Sequence, residues 1–308
     1  MRCTLIYNPV SGRNRNARES QVKQVAEALS AEGHSAEIVC TTGPGSAATQ
    51  ARAVAASADV IFACGGDGTV HEVLQGLVSE AGEPACTLGV IPLGSANALA
   101  RHLSLSLDPR KAALQQVRGR LCTIPAGKVV CTSGTRYFVV MAGAGPDGAL
   151  ACSLKSQHKS ELGRLAYYLR AARLFATRRF RPFEVEIVPA VSGPPLSRRA
   201  VGVMAVRVAS LGGLFDGLTS DRASIHDTAL RLHIVRQPAF LSLPMWFISG
   251  WLNLYQSPFL HTVEAAAFSC RPLNGPAPDI QADGEWLGNL PMQVSLVPNA
   301  LRILLPLR

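Results

Sequence analysis

The feature that most constrains this chain is the run Gly65-Gly66-Asp67-Gly68-Thr69, which separates an apolar stretch from an amphipathic one. Residues 58–64 predict a short buried strand, and residues 70–79 predict a helix with its apolar side chains on one face. Glycines at a strand-to-helix junction let the backbone approach an anion, and the helix N-terminus supplies N–H groups and a positive dipole end. The run therefore predicts a phosphate-binding turn.

Asp67 is unusual in such a turn because a carboxylate repels phosphate, so we expect it to face a bridging Mg²⁺ or a protein partner. Two structural interpretations compete with the functional one. Gly-Asp-Gly is a common turn sequence, and Thr69 with Glu72 fits a capping box in which Glu72 would be purely structural. The run is not a P-loop, because no Gly-Lys-Ser or Gly-Lys-Thr ending follows it.

The composition restricts the class of protein. With 308 residues, 48% of them hydrophobic and 17% charged, the chain can build a sizeable core in two domains or one large one. The net charge of +9 favours anionic partners, but only 6% of residues are aromatic and no aromatic-plus-basic pattern predicts nucleic-acid binding. The 8 cysteines form no C-x-x-C pair, and no signal-peptide segment is evident, so we expect a reduced, cytoplasmic protein.

Strands and helices alternate regularly over residues 1–125, which predicts a doubly wound, parallel α/β domain with ligands at the carboxyl ends of its strands. The turns after the first, third and fourth strands would place Asn8, Asp67 and Asn97 on that edge.

From residue 121 onward strands predominate, for example at 137–141, and few helices separate them. This succession of strands predicts a mostly antiparallel, β-rich second domain over residues 126–290. Residues 291–308 predict a C-terminal strand that could return to the first domain.

Two further motifs are ambiguous from the residues alone. Residues 143–148 spell G-x-G-x-x-G, but the strands around them lack βαβ alternation, so a dinucleotide fingerprint is rejected. Asp283-Gly284-Glu285 is a second acidic turn. It could supply a general base or be a surface hairpin turn, because Asp-Gly is a favoured turn pair.

An ordered set of motifs resembles the diacylglycerol kinase catalytic-domain family, which includes bacterial soluble lipid kinases, sphingosine kinases and ceramide kinases. The motifs that carry this resemblance are residues 8–12, 65–69, 89–101, 143–148, 163–167 and 281–285. Together they extend over nearly the whole chain. The resemblance implies an NAD-kinase-like α/β domain followed by a mostly antiparallel, β-rich sandwich domain.

The same resemblance implies ATP and Mg²⁺ as cofactors. It assigns the catalytic role to three acidic residues, with Asp283 as general base, Asp67 as its rival, and Asp147 placing the acceptor. Asp67 and Asp147 would contact the metal through water. The residues implied in nucleotide binding are Asn8, Ser11, Thr42, Gly65, Gly66, Gly68, Thr69, Glu72, Ser95, Asn97, Arg164 and Glu285. Where the family has Asp-Asp-Gly near an accessory Mg²⁺ site, this chain has His226-Asp227-Thr228, which argues against that structural metal.

The stretch 237–260 carries no formal charge and is long enough to span a membrane, although its three prolines argue against a span. It could instead be a buried helix-loop, or an apolar lid or interfacial helix that admits acyl chains, with Trp246 and Trp251 at the headgroup boundary. The basic segment 164–181 would add attraction to an anionic membrane surface.

The sequence therefore predicts a cytoplasmic, peripherally membrane-associated lipid kinase that phosphorylates a hydroxyl of diacylglycerol, a sphingoid base or a related lipid. NAD kinase is one alternative, but the Asn-Glu pair of that enzyme is absent after the helix that follows residues 65–69. A non-catalytic lipid- or nucleotide-binding protein of the same fold is another, and the retained Asp67, Asp147 and Asp283 argue against it. The oligomeric state stays open, and a dimer is compatible with the sequence.

Overall fold

The computed structural model describes residues 1–12, 17–80, 83–155, 173–174, 177–178, 180–209, 223–236 and 260–307. The chain divides into two compact units, of which the first contains Met1–Ala126 with Val297–Arg308 and the second contains Gly127–Leu296. Strands β5 (Arg120–Cys131) and β15 (Met292–Leu305) each contribute residues to both units.

The first unit is an α/β fold. Its elements besides β5 and β15 are β1 (Arg2–Tyr7), α1 (Arg18–Ala31), β2 (Ser35–Cys40), α2 (Ser46–Val54), β3 (Val60–Gly65), α3 (Asp67–Leu77), β4 (Thr87–Pro92), α4 (Ala98–His102) and α5 (Pro109–Val117). The strands lie in the order β15-β4-β3-β1-β2, and each of these pairings is parallel. This confirms the predicted doubly wound α/β fold.

The core of the first unit explains why its strands read as apolar runs. Both β3 and β4 are buried along their full length, as expected for parallel strands with helices on both faces. Helix α1 places Val22, Val25 and Leu29 on one face, and they share a core cluster with Leu5 and Phe62.

The second unit is antiparallel and rich in strands. Its elements besides β5 and β15 are β6 (Gly134–Phe138), β7 (Met141–Ala144), α6 (Pro146–Lys155), β8 (Phe183–Pro189), β9 (Leu196–Ala200), β10 (Gly202–Val206), β11 (Leu230–Val235), β12 (Leu260–Pro272), β13 (Asp279–Ala282) and β14 (Glu285–Asn289). The order β14-β13-β7-β10-β11-β12 is antiparallel at each pairing, and β8 joins β12 to β9. The predicted β-rich fold is therefore confirmed.

Two predicted elements differ from the structure. Helix α3 begins at Asp67 rather than at residue 70, so the last three residues of the 65–69 run form its first turn. The predicted strand 137–141 is interrupted at Val139 and Val140, which separate β6 from β7. Hydrogen bonds to a distant carboxylate cause this interruption, as described below.

The membrane-related segments fall mostly outside the described residues. Arg164 and all of 237–259 lie there, and so does most of the basic segment 164–181. In the described part of the chain, no helix combines the length and the apolar character that crossing a bilayer requires.

We predict that Gly89→Ala destabilises the first unit by about 1–3 kcal/mol, the usual cost of overpacking a core. Gly89 pairs with Phe62 on the neighbouring strand, and a Cβ built on it would lie 2.3 Å from the Phe62 ring. Phe62 is fully buried and cannot move aside. The free energy of unfolding, measured in urea, tests this expectation. Gly193→Ala is the control, because a Cβ built on Gly193 would lie 3.8 Å from the nearest atom beyond its chain neighbours. An equal loss in both variants would contradict the packing argument.

Candidate active site

The turn after β3 is built by hydrogen bonds from two other loops. Gly66 is the N-cap of α3, and its N–H donates to Ser11 Oγ (2.9 Å). The carbonyl oxygen of Gly65 accepts the Leu93 N–H (2.9 Å). The turns after the first, third and fourth strands therefore meet at one edge of the sheet, as the strand order predicts.

The Asp67 carboxylate accepts backbone hydrogen bonds from the loop after β4. Its Oδ2 accepts the Asn97 N–H (2.9 Å) and its Oδ1 accepts the Ala98 N–H (2.7 Å). Asn97 has a left-handed backbone (φ 52°), and its side chain closes the loop through both bonds to Gly94. The carboxylate in the 65–69 run thus faces a protein partner, one of the two roles expected for it.

Two glycines meet where these loops touch. A Cβ on Gly94 would lie 2.4 Å from the Gly66 Cα, and a Cβ on Gly66 would lie 3.2 Å from the Gly94 Cα. The first distance admits only glycine at position 94, and the second makes Gly66 a tightly packed position. The glycines of the run therefore serve loop packing as well as any anion approach.

The loop after β1 contacts a buried cation that the sequence did not predict. Arg18 is 7% exposed, and its Nε donates to the Ser11 carbonyl (2.7 Å). Burial lowers the pKa of this guanidinium. Asn8 lies in the same loop and accepts the Val10 N–H on its Oδ1 (3.0 Å). No motif marks Arg18, because it lies in an ordinary helical position at the start of α1.

The other predicted nucleotide residues of the first unit differ in exposure. Thr69 is buried in the first turn of α3, where Gly68 is partly exposed, and Thr42 and Ser95 are exposed in loops.

The capping-box interpretation is wrong, since Gly66 and not Thr69 is the N-cap. Glu72 instead accepts the Ala47 N–H (3.3 Å) near the start of α2. That contact is structural, as the capping interpretation supposed. It joins Glu72 to α2, whereas a capping box would have joined it to the start of its own helix, α3.

Asp283 begins the hairpin turn between β13 and β14, where both Asp283 (φ 49°) and Gly284 (φ 80°) are left-handed. It is not a surface residue, because it is 8% exposed. Its carboxylate accepts the N–H groups of Val139 (3.0 Å), Val140 (2.8 Å) and Met141 (3.0 Å). These three bonds hold the bend that divides β6 from β7. The predicted hairpin turn is confirmed, its position at the surface is wrong for Asp283, and the general-base role stays a prediction.

Asp147 lies in the first turn of α6, directly after β7. Part of its surface is open, yet its carboxyl group lies deep enough that desolvation raises its pKa to about 6. The Gln281 Nε2 donates to Asp147 Oδ2 (2.9 Å), and this bond opposes the rise of the Asp147 pKa.

The G-x-G-x-x-G run at 143–148 does connect a strand to a helix, but β7 pairs antiparallel with both β10 and β13. The dinucleotide fingerprint therefore stays rejected.

Asp279 is a buried acidic residue (5% exposed) that sequence reasoning missed. Its carboxylate accepts bonds from Arg178 (2.7 Å), Trp286 Nε1 (3.0 Å) and Asn289 Nδ2 (3.1 Å). Its carbonyl also accepts the Gly145 N–H (2.9 Å). Asp279 therefore joins the β13–β14 hairpin to the turn before α6, and only three-dimensional contacts reveal this.

The described residues contain no group of three or more His, Cys, Asp or Glu side chains placed to hold a metal ion. At the position of the accessory metal motif, Asp227 accepts the Ser224 N–H (2.9 Å). Glu285 opens β14 and is partly exposed. Arg164 lies outside the described residues.

We predict that Asp147→Asn stabilises the metal-free chain at pH 8 and leaves it unchanged near pH 3.5. The folded chain holds the Asp147 proton up to about pH 6, whereas the unfolded chain releases it near pH 4. Native stability therefore falls as pH rises through this window, by at most about 3 kcal/mol. Asparagine keeps an acceptor for Gln281 and removes the charge. Urea unfolding at both pH values tests this, and a variant that is less stable at pH 8 would refute it.

We predict that Asp283→Ala destabilises the second unit by more than about 2 kcal/mol, since three backbone N–H groups lose their acceptor. Asp283→Asn should cost less, because one oxygen remains. Glu186→Ala removes a more exposed carboxylate with a 4.0 Å ion pair and should change stability by under about 0.5 kcal/mol. Similar losses in Asp283→Ala and Glu186→Ala would show that the carboxylate does not hold the bend.

Comparison with known proteins agrees with this architecture. Residues 2–129 match the family model of the diacylglycerol kinase catalytic domain, and residues 139–305 match that of the YegS C-terminal NAD kinase beta sandwich-like domain. The solved structure of a diacylglycerol kinase from Bacillus anthracis str. Sterne matches with a TM-score of 0.71 and 20% identity, over 99% of this chain and 96% of that one. At this identity the match establishes the fold.

Relatives in sequence bear the same name. The diacylglycerol kinase of Bacillus subtilis (strain 168) is 34% identical over 238 residues, which are 77% of this chain and 74% of that protein. The diacylglycerol kinase of Staphylococcus saprophyticus is 32% identical over 170 residues, 55% of this chain and 53% of that protein. The chain therefore belongs to the diacylglycerol kinase catalytic-domain family.

Proposed function

We propose that this chain is an ATP-dependent lipid kinase that transfers the γ-phosphate of ATP to a hydroxyl of diacylglycerol or a related lipid. Family membership supports kinase chemistry on a lipid. The names of the Bacillus and Staphylococcus relatives favour diacylglycerol over a sphingoid base. In-line phosphoryl transfer requires mainly positioning and charge neutralisation from a protein.

The observation that carries the proposal is the fixed Asp67 carboxylate at the start of α3. Two backbone N–H groups from another loop orient its oxygens, so it needs little reorganisation when a ligand arrives. It lies beside the N-terminal N–H groups of an 11-residue helix, where the dipole favours phosphate. An acidic group and an anion-binding turn are thus adjacent in one loop.

Asp67 is a better candidate than Asp283 for the group that meets the lipid hydroxyl. Asp283 is 8% exposed and binds three backbone N–H groups of its own unit, whereas Asp67 is partly exposed at the start of α3. We therefore assign proton acceptance or water-mediated metal contact to Asp67. Asp283 becomes the residue that shapes the bend at 139–141.

Mg²⁺ fits this arrangement. The ion is commonly held by one or two carboxylates together with water and substrate phosphates, and a protein-only cage is absent among the described residues. Asp67 would contact it through water, and Asp147 is the further candidate that the family resemblance names. When bound, the ion would neutralise charge on the transferred phosphoryl group.

The triphosphate is proposed to lie along the first turn of α3. Gly68 and Thr69 belong to that turn, and Ser11 fixes Gly66 through its hydroxyl. The Arg18 guanidinium, bound to the Ser11 carbonyl, adds positive charge close to this loop. Asn8, Asn97 and the exposed Thr42 and Ser95 remain candidates for contacts with the rest of the nucleotide.

The lipid acceptor implies contact with a membrane. A net charge of +9 favours attraction to anionic lipid, so we propose a cytoplasmic protein that binds such a surface peripherally. The segments proposed to touch lipid, 164–181 and 237–260, fall mostly outside the described residues. The proposal therefore depends on the composition and on the family.

We predict that Asp67→Asn lowers transfer of labelled γ-phosphate to diacylglycerol in mixed micelles by at least about 100-fold, because it removes the acidic group that the reaction needs. Asparagine also replaces one carboxylate oxygen by an NH2 group, so a donor then faces a backbone N–H. A stability loss of about 1–2 kcal/mol is expected from this lost hydrogen bond. Rates are therefore measured per folded molecule, with the folded fraction taken from thermal unfolding.

Asp59→Asn is the matched control. Asp59 directly precedes β3 and forms an exposed ion pair with Arg2 (3.0 Å), so its variant should retain wild-type turnover. Near-normal transfer by Asp67→Asn would remove this carboxylate from the mechanism. Equal phosphorylation when NAD is the sole acceptor would favour an NAD kinase instead.

A further inference from the structure

The buried side chain of Gln281 connects two acidic positions of the second unit. Gln281 is 1% exposed, and a buried amide requires partners on both its oxygen and its nitrogen. Its Oε1 accepts the Gly284 N–H (2.8 Å), and its Nε2 donates to Asp147 Oδ2 (2.9 Å). Because the Gly284 N–H can only donate, the orientation of the amide is fixed.

The neighbouring strand makes room for this contact. Gln281 pairs with Gly143 across β13 and β7. A Cβ on Gly143 would lie 2.3 Å from Asp147 Oδ2, so the missing side chain lets the carboxylate lie over β7 and reach β13. The three residues therefore form a local unit in which a larger residue at 143 would break the contact between Asp147 and Gln281.

The other end of the amide holds the turn that begins with Asp283. Gly284 directly follows Asp283, whose own N–H donates to the Met141 carbonyl (2.8 Å). The Asp283 carboxylate in turn holds the bend at 139–141. A displacement of the Gln281 amide would therefore be transmitted to the turn on one side and to Asp147 on the other.

We propose that Gln281 is a positioning residue that fixes the Asp147 carboxylate relative to the Asp283-Gly284 turn. Its importance for turnover rests on the proposed function, but the positioning itself does not. Gln281 contacts no reacting group and would act only through Asp147 and the turn.

The first test reports on the position of the Gln281 amide and needs no enzyme assay. In amide NMR spectra, we expect Asp147→Ala to shift the Gly284 N–H resonance, because Gln281 loses one partner and its amide relaxes. Asp147→Asn keeps an acceptor and should leave that resonance nearly unchanged. In a Gln281→Leu background, Asp147→Ala should have no further effect on Gly284. An unmoved Gly284 resonance in Asp147→Ala overturns the proposal.

The second test separates positioning from simple core packing. Gln281→Leu and Gln281→Glu should each lower kcat for lipid phosphorylation by about tenfold or more while KM for ATP stays within about twofold. Ile280→Val removes a methylene group from a fully buried neighbour on the same strand and should lower stability without lowering kcat. A kcat in Gln281→Leu that matches Ile280→Val at equal folded fraction overturns the role in turnover.

The two tests fail separately. If the wild-type chain phosphorylates no lipid, the proposed function fails, and the Gly284 resonance still decides whether Gln281 positions Asp147. If the wild type is active and both Gln281 variants match it, the proposed function stands and the positioning role in turnover is refuted.

Discussion

Carboxylates that accept backbone N–H groups from distant loops are the interaction on which both units of this protein depend. Asp67 binds the N–H groups of Asn97 and Ala98, and Asp283 binds those of residues 139–141. Such charge-assisted bonds are stronger than neutral ones, and they satisfy N–H groups in the loops and at the first residues of the elements that follow, α4 and β7. Without these carboxylates, each loop would have to satisfy its N–H groups in another conformation.

The same interaction holds the Asp67 carboxylate in one orientation, which suits the proposed chemistry. Phosphoryl transfer benefits from acidic and donor groups that are already oriented before the substrate binds. The loop contact between Gly66 and Gly94 and the bond from Gly66 to Ser11 hold the turn from two further directions. Asp67 therefore needs no induced change to adopt its orientation, and the proposed chemistry follows from how the loop is held.

Much of the architecture could be predicted because it depends on local pattern. The alternation of strands and helices in the first unit and the start of α5, where Asp108 accepts the Arg110 and Lys111 N–H groups, follow from periodicity and capping chemistry. The Asp283-Gly284 turn follows from the preference for a left-handed backbone at such pairs.

The remainder depends on contacts between residues far apart in the chain. The bend at 139–140 interrupts an apolar run because a carboxylate about 140 positions later binds its N–H groups, and no local pattern reveals that partner. The buried roles of Asp279, Gln281 and Arg18 are hidden for the same reason. Their residue types are ordinary at these positions, and only the folded structure gives them partners.

A crystal structure of the chain with Mg²⁺ and a non-hydrolysable ATP analogue would show whether Asp67 lies at the site of the transferred phosphate. We expect the triphosphate at the first turn of α3, with the metal within water-mediated reach of Asp67 and with the bonds from Asn97 and Ala98 retained. A nucleotide bound away from residues 65–69, or an Asp67 carboxylate with no relation to metal or phosphate, would contradict it.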